Sequence, residues 1–141
     1  MNLLNLLIIG SGGREDALAR KISESPLVDK VFCAPGNAGT AVYATNVKIS
    51  ANDIARLLAF AKQENIGLTI VGPEEPLTLG IVDVFRENNL DIFGPDSKAA
   101  VLEGSKLFTK DLLTKYGIPT ARYRHSTDPA LAKSYVQGHT F

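Results

Sequence analysis

The sequence has a single cysteine, no excess of either charge sign and no apolar run long enough to cross a bilayer. One cysteine excludes an internal disulfide and fits a reducing compartment. Cys33 stands in the apolar run VFCA, which marks a buried strand thiol rather than a reactive one. Lys and Arg number 15, as do Asp and Glu, so no global field draws in nucleic acid or an anionic membrane, and neither is expected as a partner. Any bound anion must be held by a local device. A membrane span needs ~20 consecutive apolar residues. Here the N-terminal apolar run breaks at Gly10, and no basic segment precedes it as in a secretory signal. A cytoplasmic location is therefore expected. Internal repeats and low-complexity segments are missing as well.

What is present is an ordinary globular composition, 45% hydrophobic and 21% charged, in 141 residues: enough for one domain with a core, or one domain and the start of another. Short apolar runs alternate with helix-like segments. LLNLLIIG reads as a buried strand, followed by a helix over Arg14–Glu24 with Ala17, Leu18 and Ile22 on one face. KVFCAP is a second strand, leading into the loop GNAGTA, and NVKIS is a brief third. Asp53 is placed to cap a helix whose apolar positions Ile54, Leu57, Leu58 and Ala61 recur at helical spacing. LTIVGPE is a further strand, LGIVDVFRENN a helix, and LDIFGPD a closing strand. Near-continuous apolar strands alternating with helices predict an α/β fold, a parallel sheet covered by helices on both faces.

The character changes after Gly94-Pro95. Lys98–Gly104 and Ser105–Tyr116 read as consecutive helices, GIPTARYRHS as a strand, and DPALAKSYVQ as a helix with Asp128 as N-cap and Pro129 in its first position. The elements after Gly104 make a poor independent core, which suggests the opening of a second domain whose remainder is absent. The apolar side chains Leu107, Phe108 and Leu112 would then lack a partner.

Between the first strand and the first helix lies GSGGRED. In an open parallel sheet, ligands bind beyond the carboxyl ends of the strands, where free N–H groups meet the positive end of a helix dipole. Gly10, Gly12 and Gly13 let a ligand approach the backbone, and Arg14 adds a cation for a charge-assisted bond. The dinucleotide fingerprint G-x-G-x-x-G fails at its third position, where Glu15 stands, and the second strand ends without the acid that holds a ribose hydroxyl. The Walker pattern fails too, because no Gly-Lys-Ser/Thr follows. A tight turn without a ligand remains open on this loop alone. Two more strand-end loops, PGNAGT (35–40) and VGPEEP (71–76), would emerge on the same sheet edge. Asn37 brings a donor and an acceptor, and Glu74 a carboxylate suited to a ribose hydroxyl or an amine. Three such loops around one crevice describe a site for a small sugar phosphate.

IIGSGGRE, APGNAGT, VGPEEPL, IFGP and LEGSKLFTKDLLTKYGIPTARY occur in this order from about Leu4 to Tyr123. Together they resemble the N-terminal part of the glycinamide ribonucleotide synthetases, or phosphoribosylamine–glycine ligases. The resemblance implies a Rossmann-like domain over residues 1–103 and the start of an ATP-grasp module over 104–141. It implies a ligase of de novo purine synthesis, in which ATP activates glycine as an acyl phosphate that the amine of 5-phosphoribosylamine attacks. It implies substrate binding by Gly10, Gly12, Gly13, Arg14, Glu15, Asn37, Gly39, Gly72, Pro73 and Glu74, and contact of Lys106 with nucleotide phosphates. ATP and Mg2+ (or Mn2+) are the implied cofactors of the complete enzyme, with none bound tightly by these residues alone.

In the family the glycine-rich ATP lid, the metal ligands and the glycine-binding residues lie beyond Phe141. No catalytic or metal-binding residue is therefore expected in this chain, which would be inactive unless an ATP-grasp portion joins it in trans. His125 and His139 have no carboxylate or cysteine at metal-ligand spacing and are expected at the surface. One departure concerns the glycine loop, since Asp16 stands where the family usually has histidine. A carboxylate there favours the helix dipole but repels a phosphate dianion if it faces one. The alternative from a different class is a stand-alone sugar-phosphate-binding module without catalysis. An NAD-dependent oxidoreductase is disfavoured by Glu15 and the missing acid.

Overall fold

A computed structural model describes residues 3–138. The chain divides after Gly104 into two compact units. In the first, β1 (Leu4–Gly10), β2 (Val28–Pro35), β3 (Thr45–Asn46), β4 (Ile66–Val71) and β5 (Ile92–Phe93) form one sheet. The strand order is β3-β2-β1-β4-β5 and every pairing is parallel. The chain moves outward from β1 through β2 to β3, then returns to add β4 on the other side of β1. The order therefore reverses between β1 and β4, which is where open sheets of this kind bind ligands.

The strands read as continuous apolar runs because both faces are covered. Leu7 and Ile9 face one layer, with Leu57 and Ala61 of α2 (Ile54–Gln63), Leu77 of α3 (Glu74–Thr78), Ile81, Val82 and Phe85 of α4 (Ile81–Glu87) and Ala100 of α5 (Ser97–Gly104). Ile8 and Cys33 face the other layer, with Ala19, Leu18 and Ile22 of α1 (Gly13–Ser23). Burying each large aliphatic or aromatic side chain contributes roughly 1.5–3 kcal/mol, so these two layers hold the sheet in place. Asp53 caps α2 as its position suggests, its side chain accepting from Arg56 N–H at 3.2 Å.

Several details differ from the sequence reading. On α1 the buried positions are Glu15 and Ala19, with Leu18 and Ile22 half-buried and Ala17 exposed. The inward stripe begins with a carboxylate, so a purely apolar periodicity missed it. The third strand is the two-residue Thr45–Asn46 rather than NVKIS, and the fifth is only Ile92–Phe93. VGPEEP is not all loop, because Glu74 opens α3. The helix read from Leu79 begins only at Ile81: α3 has already ended at Thr78, and Gly80, whose φ of +86° is costly for any residue with a Cβ, stands before α4.

In the second unit, Ser105 caps α6 (Lys106–Lys115) by accepting from Phe108 N–H. Asp128 caps α7 (Pro129–Gln137) by accepting from Ala130 N–H at 2.8 Å, with Pro129 in the first position. GIPTARYRHS is not a strand: it has no regular structure and no ladder partner among the described residues. An apolar-rich extended segment becomes a strand only when another backbone pairs with it. Neither helix of this unit buries a residue, and Leu107 and Phe108 are 37% and 44% exposed. Among the described residues no helix is long and apolar enough to cross a membrane.

Candidate functional site

The parallel register places three strand-end loops side by side. Gly10 pairs with Pro35, and Ile9 pairs with both Ala34 and Val71. Gly36 N–H donates to Gly10 carbonyl and Gly72 N–H to Ile9 carbonyl, both at 3.0 Å. The loops after β1, β2 and β4 are thus stitched together at the carboxyl edge of the sheet, across the point where strand order reverses.

Glu15 lies at the centre of this arrangement. It is 3% exposed although it is charged and belongs to the first turn of α1. Its Oε2 accepts from Gly12 N–H at 2.5 Å, one half of a capping box. Its Oε1 is buried without a hydrogen bond among the described residues, and its nearest cation is Arg14 Nε at 3.9 Å. The glycines around it leave room for this carboxylate. A Cβ on Gly72 would overlap it, and one on Gly10, where φ is +131°, would stand 2.7 Å from its Cδ. The place of the third fingerprint glycine is therefore filled by a carboxylate wedged between the β1 and β4 loops. It occupies space and negative charge at the helix N-terminus where a dinucleotide's pyrophosphate would lie.

Arg14 is 64% exposed and spans the crevice mouth, with Nε 3.9 Å from Glu15 and Nη2 3.9 Å from Glu74. These separations exceed hydrogen-bond length, so the guanidinium is held loosely and its donors remain available. The N–H groups of Gly13, Arg14 and Glu15 belong to the first turn of α1, where no intrahelical carbonyl can reach them. Open donors, a helix dipole and a cation meet there, and together they suit a small anion.

The β2 loop closes the other side. Asn37 Nδ2 donates to Ser11 carbonyl at 2.9 Å and to Gly12 carbonyl at 3.2 Å. Its Oδ1 accepts from Gly39 and Thr40 N–H at 2.7 and 3.0 Å. Thr40, fully buried, and Asn46 complete the cluster: Thr40 Oγ1 donates to Asn46 Oδ1, and Asn46 Nδ2 donates to Asn37 carbonyl. Sequence reasoning passed over Thr40 and Asn46. The Asn-x-x-Thr spacing over 37–40, which favours a local side-chain turn, was the available signal. Asp16, half-buried, turns one carboxylate oxygen onto this loop. Its Oδ1 is buried without a hydrogen bond among the described residues, and a Cβ on Gly39 would collide with it. Cys33 lies beneath, and burial pushes its thiol up to about 11, assisted by the charges of Glu15 and Asp16. It is a core thiol.

Gly10, Gly12, Gly13, Arg14, Glu15, Asn37, Gly39, Gly72, Pro73 and Glu74 thus come together on one sheet edge. Lys106 belongs to the second unit, in the first turn of α6, beside a cavity of about 280 Å³ that Tyr123, Arg124 and His125 also line. His125 is exposed, and His139 lies outside the described residues. Among the described residues no three His, Cys, Asp or Glu side chains gather as metal ligands.

A doubly wound parallel sheet with a glycine loop at its switch point defines a Rossmann-like domain, and the buried Glu15 stands where a dinucleotide fingerprint would have its third glycine. Residues 4–103 match the model of the phosphoribosylglycinamide synthetase N domain, and the chain belongs to that family. A phosphoribosylamine–glycine ligase of Yersinia pestis is 59% identical over 136 residues, 95% of this chain and 32% of the relative. One from Pseudomonas aeruginosa is 58% identical over 139 residues, 96% of this chain and again 32% of the relative. The chain spans about a third of the length of the curated relatives it matches. The crystal structure of the Thermotoga maritima phosphoribosylamine–glycine ligase superposes with a TM-score of 0.67 at 29% identity, covering 97% of this chain and 31% of that one.

Proposed function

We propose that this chain is the N-terminal portion of a phosphoribosylamine–glycine ligase and that its crevice binds 5-phosphoribosylamine. The observation that carries the reading is the convergence of the three strand-end loops on the open first turn of α1, with Arg14 across the mouth. The phosphate would lie against the open N–H groups of Gly13, Arg14 and Glu15, a dianion at a helix N-terminus. Gly39, Gly72 and Pro73 allow close approach. Glu74 faces the ribose hydroxyls or the amine, and Glu15 shapes the floor. The identity to ligases of this name over nearly the whole chain supports the reaction class: ATP, glycine and 5-phosphoribosylamine give glycinamide ribonucleotide, ADP and phosphate.

In that reaction ATP and Mg2+ supply the phosphoryl chemistry that activates glycine. Lys106, a compact charge in the first turn of α6, is the residue of this chain assigned to nucleotide phosphates. Metal ligands and the rest of the nucleotide site are assigned to the remaining two-thirds of such an enzyme, in the same chain or in trans. These 141 residues alone are then expected to bind ribose 5-phosphate weakly and to form no ADP with glycine.

Titration with ribose 5-phosphate, the stable analogue, tests the site. Arg14→Ala is expected to weaken binding about tenfold, the loss of one charge-assisted phosphate contact. Equal affinity of the two proteins would remove this crevice as the site.

A further inference from the structure

Asn37 has the composition of a ligand-binding side chain, yet all of its amide is engaged inside the protein. Both Nδ2 bonds run to the glycine loop, at Ser11 and Gly12 carbonyls, and both Oδ1 bonds stay within its own loop. We infer that Asn37 is a positioning residue, which fixes the peptides of the glycine loop, and with them the open Gly13 N–H, without touching the ligand. This rests on the sugar-phosphate reading of the crevice.

Peptide geometry links each tied carbonyl to the N–H that follows it. In a trans peptide the carbonyl and the following N–H point in opposite directions. Fixing the Ser11 carbonyl toward Asn37 turns Gly12 N–H the other way, where it meets Glu15 Oε2. Fixing the Gly12 carbonyl, which also accepts from Asp16 N–H at 3.2 Å, turns Gly13 N–H away from the β2 loop and out of the helix end. Glycine peptides have little steric preference of their own, so this loop takes its orientation from hydrogen bonds: Asp16 N–H holds the Gly12 carbonyl from within the helix, and the Ser11 and Gly12 carbonyls are both tied from outside it. Asn37 supplies the outside ties from the neighbouring strand end. Thr40 and Asn46, by contrast, hold only the β2 loop and do not reach Ser11 or Gly12.

That difference provides the test. The 141-residue chain, Asn37→Ala and Asn46→Ala are titrated with ribose 5-phosphate, and the residual dipolar coupling of the Gly13 N–H, which reports bond orientation, is read without ligand. Asn37→Ala is expected to weaken binding about tenfold and to change the Gly13 coupling, whereas Asn46→Ala stays within about twofold and keeps it. Asn37→Ser, a smaller cut with the same two readouts, stands in if the alanine variant does not fold. Wild-type affinity and coupling in the Asn37 variant would overturn the inference. So would an equal loss in Asn46→Ala, because loop stability alone would then account for the effect. Failure of the unsubstituted chain to bind ribose 5-phosphate would overturn the sugar-phosphate reading instead. The Gly13 coupling would then still decide whether Asn37 orients the loop.

Discussion

Gly72→Ala is expected to destabilise the first unit by about 1–3 kcal/mol, a large effect for one added methyl group. Gly72 has no positive φ, so backbone strain does not enter, and its N–H bond to Ile9 carbonyl can persist. The cost comes from space, because the new Cβ would occupy the position of the Glu15 carboxylate. Glu15 is the end of a flexible chain and would be driven out. It would then lose Gly12 N–H and its fitted place between the two loops. A double-mutant cycle separates this from a general intolerance at the strand end. In a Glu15→Ala background, Gly72→Ala is expected to cost under about 0.5 kcal/mol, because the collision partner is gone. Urea denaturation of the four proteins measures it. Equal costs in both backgrounds would show that the Glu15 wedge does not dictate glycine here.

Asp16→Asn is expected to tighten ribose 5-phosphate binding about three- to tenfold. The carboxylate sits in the first turn of α1, packed on Gly39 with a buried oxygen that lacks a hydrogen bond among the described residues. One oxygen of the half-buried carboxylate is thus held in the protein at the helix end proposed for the phosphate, and no capping bond from it is present among the described residues. A unit negative charge about 8 Å from another costs roughly 0.5–2 kcal/mol between the bulk and near-surface dielectric limits. Screening at physiological salt reduces this, and about 1.4 kcal/mol is tenfold in affinity. The amide is nearly isosteric, so the contact with Gly39 is preserved while the charge is removed. Calorimetric titration at two salt concentrations checks the effect: the gain in Asp16→Asn should shrink as salt rises. Unchanged affinity at low salt would mean that the proposed phosphate position is wrong or that the charge is neutralised locally.

The alternation of apolar runs and helical periods was enough to read the parallel sheet and its two helical layers, because strands buried on both faces leave an uninterrupted apolar signature. Caps were equally legible: Asp53, and Asp128 with Pro129, act through neighbours two or three residues away. What depended on distant partners was not legible. GIPTARYRHS has the composition of a strand, but a strand requires a second backbone. The late start of α4, at Ile81, follows from a left-handed turn at Gly80 that helical periodicity does not register. At the site, the sequence marked the right loops but not the division of labour within them. Glu15 appeared as a failed fingerprint position, yet it is the buried wedge that explains Gly10 and Gly72. The spacing Gly12-x-x-Glu15 did carry a capping signal, hidden because the N-cap residue is glycine.

The central claim is that the glycine-loop crevice of this family member takes a phosphosugar. It is tested most directly by adding ribose 5-phosphate to the isotopically labelled chain and following its backbone amides. Saturable shifts are expected, concentrated at Gly13, Arg14 and Glu15, with smaller ones at Gly39 and Gly72. Shifts centred on α6 or α7 with the glycine loop unmoved, or no saturable shift at all, would contradict it.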